Sequence, residues 1–222
     1  MWSEQRALDT RSQQQTKRIK LTIPPIRIDN VVSTFKLNKK LDLGYLAKEI
    51  FFLEYNSVKF TAATMRLAEP RTTALTFASG SVVCTGGKSI PDSIRATRYY
   101  TQIFQRADPD IRMLGHATIQ NIVASASCGF TLRLADIAKH FGVRTSFQMA
   151  VFPGLVFRVD DPKIVFLVFR SGAVVITGAN TLDTIHRVFR RFYANILLVY
   201  RDTGPNSTVT NSAEYKQILL QS

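Results

Sequence analysis

Two asparagines, Asn30 and Asn121, and two threonines, Thr85 and Thr177, occupy matching places in a sequence that repeats itself. Their amides and hydroxyls are hydrogen-bond donors set among valines, leucines and phenylalanines. Such a mixture suits recognition of a surface made of acceptors rather than bond-making chemistry. Asparagines at such places can instead simply satisfy turn backbones, and Thr-Gly pairs can be plain strand-ending turns. Catalysis has no candidates. His116, His140 and His186 are scattered without metal-ligand spacing, and no nucleophile–base pair or glycine-rich phosphate loop is present. Neither a metal nor a cofactor is expected.

The places match because the chain is a tandem duplication. The run from Glu69 to Gly86 returns from Asp161 to Gly178 at a constant offset of 92, so Pro70 pairs with Pro162, Phe77 with Phe169 and Gly80 with Gly172. Phe60 pairs with Phe152 at the same offset, and Asn30 with Asn121 at 91. A period of about 90 residues is too long for a solenoid and long enough for a half-domain. The expected organisation is an N-terminal arm over 1–25, a first repeat over 26–114, a second over 115–200 and a polar tail over 201–222.

Each repeat must carry these residues on the same elements. The first should contain a strand over 27–35, a helix from Asp42 to Leu53 with apolar side chains at helical spacing, strands over 59–67, 72–77 and 82–85, and a helix over 91–105. The second copies it with a strand over 118–126, a helix near 133–141, strands over 153–159, 163–169 and 174–177, and a helix over 182–198. The fold class is α+β: one curved antiparallel sheet in two pseudo-symmetric halves, with helices on the convex face, a saddle.

Strand alternation then poses a problem of burial. One face takes Thr73, Leu75, Phe77, Val83 and Thr85, and the other takes Ala74, Thr76, Val82 and Cys84. Both are largely apolar, and the second repeat is the same. Helices from each repeat can cover only one face, so the other must meet a ligand. The chain carries 29 Lys+Arg against 16 Asp+Glu, a net charge of +13, alongside 45% hydrophobic residues. The charge belongs mostly to the body, since residues 1–20 contribute +3 and 201–222 contribute nothing. A polyanion is the expected partner. An A·T minor groove fits best: its floor offers only acceptors, so valine, leucine and threonine with a few amide donors suit it. Basic groups belong at the rim, and phenylalanines at strand ends can wedge between base steps. The 45% hydrophobic content excludes a disordered tail for most of the chain. No stretch has the length of a membrane span and no signal-peptide pattern opens the sequence, so no membrane partner is expected. Two cysteines, Cys84 and Cys128, make neither a disulfide framework nor a zinc set, so a reducing compartment is expected.

These residues resemble the TATA-box-binding protein family over about 26–200, including Glu69-Pro-Arg-Thr-Thr-Ala-Leu and Val151-Phe-Pro-Gly-Leu. The resemblance implies that Phe60 with Phe77 and Phe152 with Phe169 are DNA-intercalating pairs. It implies minor-groove positions at Asn30, Val32, Leu75, Val83, Thr85, Asn121, Val123, Val165, Leu167, Val175 and Thr177. Phosphate contacts are implied at Arg66, Arg71, Ser79, Arg158, Lys163 and Ser171. It further implies a nuclear, non-enzymatic initiation factor that binds and bends promoter DNA. Partners would resemble transcription factors IIA and IIB and polymerase-associated factors, recruited through convex helices bearing Arg95, Arg98, Arg187, Arg190 and Arg191.

The chain departs from the family in places. Ser81 and Ala173 stand where a basic residue usually follows Ser-Gly, and Asp161 and Asn180 replace two more basic positions. Each lost contact should flatten the salt dependence by about one unit. An acidic stretch that meets transcription factor IIB in the family is Gln148-Met149-Ala150-Val151 here. These departures leave room for a related factor that acts mainly through protein partners at promoters without a TATA element. A second alternative is an accessory domain of a nucleic-acid enzyme.

Overall fold

The computed structural model describes residues 22–204, so most of the expected arm and tail lies outside the described residues. Arg27–Leu37 forms β1, Leu43–Glu49 α1, Leu53–Glu54 β2, Ala62–Leu67 β3, Thr72–Phe77 β4, Ser81–Gly87 β5 and Ile90–Ala107 α2. The second half follows with β6 (Met113–Ser127), α3 (Leu134–Phe141), β7 (Thr145–Ser146), β8 (Gly154–Val159), β9 (Ile164–Phe169), β10 (Ala173–Ala179) and α4 (Leu182–Phe192). All strands join one ten-stranded sheet in the order β2-β3-β4-β5-β1-β6-β10-β9-β8-β7, and its named pairs are antiparallel. The order reads as a mirror about the β1–β6 seam.

Local chemistry explains where elements start and stop. Asp42, Ser89 and Thr181 cap α1, α2 and α4 by accepting the backbone N–H three residues on, and Pro91 sits in the first turn of α2. At each Ser-Gly hairpin the glycine adopts positive φ, +83° at Gly80 and +85° at Gly172. A Cβ would lie 2.5 Å from the Lys39 carbonyl oxygen at the first and 2.1 Å from that of Phe130 at the second, so only glycine fits. Both acid–proline turns, Glu69-Pro70 and Asp161-Pro162, contain cis peptide bonds.

Four sequence expectations need correction, the first being that β6 begins at Met113 rather than at 118, because its N-terminal part pairs with Lys36 and Leu37 of β1. The first helix ends at Glu49 rather than Leu53, because Ile50 turns extended and Leu53 is drawn into edge pairing with Met65. Phe51, assigned to the apolar helix stripe, is fully exposed instead. β3 starts at Ala62 rather than Lys59, since Lys59 and Phe60 donate to the Asn56 carbonyl in a turn. Helix α4 stops at Phe192 and continues as a π-helical turn over Tyr193–Leu197.

Burial follows strand alternation through both hairpins as far as Thr85 and Thr177, and shifts at the glycine that follows each. Thr72, Ala74, Thr76, Val82 and Cys84 are buried under the first-repeat helices, and Ile164, Phe166, Val168, Val174 and Ile176 under those of the second. Each repeat owns a core. The first centres on Met65, Tyr100 and Phe104, and the second on Phe157, Phe166, Phe189 and Phe192. Phe166 stacks on Phe192 with ring centroids 3.9 Å apart. Ile23, inside the expected arm, packs against the second core. Tyr100 ties α2 to the sheet through a 3.0 Å hydroxyl contact with Thr72, and burial pushes its phenol up to about 12. It therefore stays neutral at any pH the fold would meet.

Among the described residues two buried side-chain atoms lack a hydrogen-bond partner, Thr76 Oγ1 and Arg133 Nε. Thr76 Oγ1 is buried without a hydrogen-bond partner, while its repeat equivalent, 92 residues on, is Val168. An unpaired buried hydroxyl costs about 1–3 kcal/mol of desolvation. Thr76→Val should therefore stabilise the fold by about 1 kcal/mol, raising the thermal midpoint by roughly 2–4 °C. A lowered midpoint on calorimetry would show that the hydroxyl has a partner.

Candidate nucleic-acid interface

The residues left on the open face are those that the alternation predicts. Val32, Leu75, Val83, Thr85, Val123, Val165, Leu167, Val175 and Thr177 are all half-buried; each lies between buried neighbours except Thr85 and Thr177, which are followed by Gly86 and Gly178. No helix among the described residues lies over them. The β1–β6 seam brings the two repeats together here. Asn30 stands opposite Val123 and Val32 opposite Asn121, with Val31 and Ile122 paired between them and buried on the far side. Two asparagines and two valines thus form a four-residue patch around the pseudo-twofold axis at the centre of the face.

Each asparagine is held in the same way. The Asn30 Oδ1 accepts the Gly86 N–H at 2.7 Å, and the Asn121 Oδ1 accepts the Gly178 N–H at 2.9 Å. A backbone N–H can only donate, so these bonds fix which end of each amide is oxygen. The Nδ2 lies 3.2 Å from Thr85 Oγ1 in the first repeat and 3.1 Å from Thr177 Oγ1 in the second. Each amide nitrogen carries two hydrogens, so with one donated to the threonine hydroxyl the other is free for an outside acceptor. Gly86 and Gly178 make this possible by turning at φ +101° and +107°, where the ladder is irregular. The two readings of the asparagines, backbone support and recognition, are therefore compatible: the oxygen does the first, and one amide hydrogen is left for the second.

The four phenylalanines stand at the outer ends of the face. Phe77 and Phe169 end β4 and β9, opposite Ala62 and Gly154 across the ladder. Phe60 and Phe152 leave matching turns, donating their N–H to the carbonyls of Asn56 and Gln148, both at 2.9 Å. Phe152 and Phe169 meet edge to face with centroids 5.7 Å apart. Phe60 is 48% exposed, and neither it nor Phe77 makes a ring contact among the described residues.

The rim is less uniform. Arg71, Arg158 and Lys163 are exposed and make no ion pair among the described residues. Arg66 is tied to Glu54 at 2.7 Å across the β2–β3 edge. Ser79 and Ser171 lie exposed at the hairpin tips, where each accepts the N–H two residues on at 3.4 Å. Ser81 and Ala173 begin β5 and β10 half-buried, and Asp161 and Asn180 are exposed. No cluster of His, Cys, Asp or Glu among the described residues could hold a metal. Sequence reasoning missed the Gly86 and Gly178 anchors, although both Thr-Gly pairs were visible at the 92-residue offset. It also missed the Glu54 partner of Arg66, because a two-residue strand leaves no periodicity to read.

Comparison with known proteins agrees with this geometry. The family model described as transcription factor TFIID, or TATA-binding protein, matches residues 25–107 and again 116–199. TATA-box-binding protein 1 of Triticum aestivum is 43% identical over 78% of this chain and 74% of its own length. The TATA-box-binding protein of Spodoptera frugiperda is also 43% identical, over 75% of this chain but only 54% of the insect protein. Among solved structures, the Methanococcus jannaschii TBP superposes with a TM-score of 0.66 at 37% identity, covering 76% of this chain and 96% of that one. The chain belongs to the TATA-box-binding protein family, a family of DNA-binding transcription factors and not of enzymes.

The asparagine anchor can be separated from the amide donor. Asn30→Asp keeps an oxygen for the Gly86 N–H, whereas Asn30→Leu leaves that half-buried donor unpaired. The leucine variant should lose about 1 kcal/mol of unfolding free energy and the aspartate variant less than about half of that. Equal losses in urea titrations would show that Oδ1 does not support the bulge.

Proposed function

We propose that this chain binds A·T-rich, TATA-type promoter DNA through the minor groove, bends it, and nucleates assembly of an initiation complex in the nucleus. The observation that carries the reading is the open sheet face: largely apolar, with twin oriented amides at its centre and phenylalanine pairs at both ends. Asn30 and Asn121 would donate to adenine N3 or thymine O2, while the valines, leucines and threonines fill a floor that lacks the guanine amino group. Phe60 with Phe77, and Phe152 with Phe169, would unstack a base step at each end, as apolar wedges of minor-groove binders do. Specificity then comes mainly from the deformability of the sequence. Arg71, Arg158 and Lys163, with Ser79 and Ser171, would meet phosphates, and Arg66 would join them on release from Glu54.

Partners follow from the two outer surfaces. The relatives' family suggests factors resembling transcription factors IIA and IIB, and the convex helices offer Arg98, Arg190 and Arg191 without ion pairs among the described residues. The stretch Gln148-Met149-Ala150-Val151 is exposed and uncharged, with Met149 72% and Val151 81% exposed. A factor docking there would have to engage apolar side chains rather than carboxylates. Serine and alanine at 81 and 173 favour a second reading, a relative that acts mainly through proteins at promoters without a TATA element.

Affinity and bending on a TATA duplex distinguish the readings. The wild-type chain should bend that duplex and prefer it over G·C-rich DNA of the same length. Phe60→Ala and Phe169→Ala should each reduce the bend. Unchanged bending in both variants would remove the wedge assignment, and equal weak affinity for both duplexes would favour the partner-driven reading.

A further inference from the structure

The two phenylalanine pairs are built on equal backbones yet are in different states. Phe60 and Phe152 leave turns with the same hydrogen bond, 2.9 Å to the carbonyl of a residue four back, and Phe77 and Phe169 end equivalent strands. In the second repeat the rings are already in contact; in the first they are not, among the described residues. The difference at the point between the rings is one methyl group. The residue across the ladder from Phe169 is Gly154, and the residue across from Phe77 is Ala62. A Cβ built on Gly154 would lie 2.7 Å from Phe152 Cε1 and 3.0 Å from Phe169 Cε1. The rings close over the space that a side chain would occupy. Gly154 is not among the glycines with positive φ, so the backbone itself would accept alanine. What forbids a methyl there is the ring pair.

We infer that Gly154 is a positioning residue that makes the second-repeat end of the face the leading wedge, its phenylalanines paired before DNA arrives. The first-repeat pair, spread by Ala62, assembles only on the DNA. The inference rests on the wedge reading above and adds an order to it. Fixing a side chain at an interface carries an entropic cost, and a pair held by edge-to-face packing has met that cost in the free protein. Insertion at that end needs no ring rearrangement, so its base step should unstack first and the opposite step later.

The order is measurable with 2-aminopurine, whose fluorescence rises on unstacking, placed at one outer step or the other of an A·T-rich duplex. Rapid mixing with the full chain should give two different rates. Phe152→Ala, which should silence the faster one, assigns the ends. Gly154→Ala should slow the second-repeat end by roughly two- to tenfold, the Boltzmann equivalent of ordering one side chain, and leave the other end unchanged. Ala62→Gly should quicken the first-repeat end by a similar factor. It removes only a methyl, so it reads the same inference even if Gly154→Ala does not fold. Equal rates at the two ends of the wild type, or rates indifferent to both substitutions, would overturn the order while leaving the wedges in place. Bound DNA with no fluorescence change at either end would overturn the wedges as well.

Discussion

A sheet has two faces and the helices of this chain cover one. Everything distinctive about the molecule follows from that shortage. Strands buried on both sides would read as continuous apolar runs, and β9, Ile164-Val-Phe-Leu-Val-Phe169, reads just so. Yet only Ile164, Phe166 and Val168 of that strand reach the core. The alternate side chains stand half-exposed on a face of ten strands, a large apolar area held in contact with water at about 25 cal/mol per Å². The chemistry of the face, oriented amides among aliphatic side chains under an overall charge of +13, supports the proposed ligand, a polyanion whose bases are reached through an acceptor-lined groove.

Duplication turns that face into two half-sites joined at one seam. The β1–β6 pairing places each asparagine opposite a valine of the other repeat, so neither half completes the central patch alone. The same anchoring recurs in both halves: a bulge glycine gives its N–H to the asparagine oxygen, and a threonine hydroxyl shares the amide. Symmetry is then broken by small substitutions. Ala62 against Gly154 alters a ring pair, and Thr76 against Val168 alters a core contact. Ser81 and Ala173 each stand where the family resemblance implied a cation.

Much of this was legible in the sequence because period-two alternation survives wherever one face is packed. The hairpins of both repeats, and which of their side chains lie on the open face, follow from that alternation and from glycine turns at a fixed offset. What was not legible depended on pairing across distance. Phe51 fitted a helical stripe on paper, but the edge strand captured Leu53 and ended the helix early, leaving Phe51 in solvent. The tie between Glu54 and Arg66 needs a two-residue strand that no pattern announces. The anchoring of Asn30 by Gly86 joins residues 56 apart, and only the bulge geometry shows why an asparagine belongs there. The local signals were sufficient for elements; the site needed the register.

The central claim is that the open face reads the floor of an A·T minor groove, and inosine tests it most directly. An inosine–cytosine pair presents the minor groove of an A·T pair, without the guanine amino group, while its major groove is that of G·C. Bending and affinity should be compared on three duplexes of one length carrying A·T, inosine–cytosine or G·C pairs through the site. The account predicts that the inosine duplex is bound and bent like the A·T duplex and that the G·C duplex is not. An inosine duplex that behaves like the G·C one would contradict it.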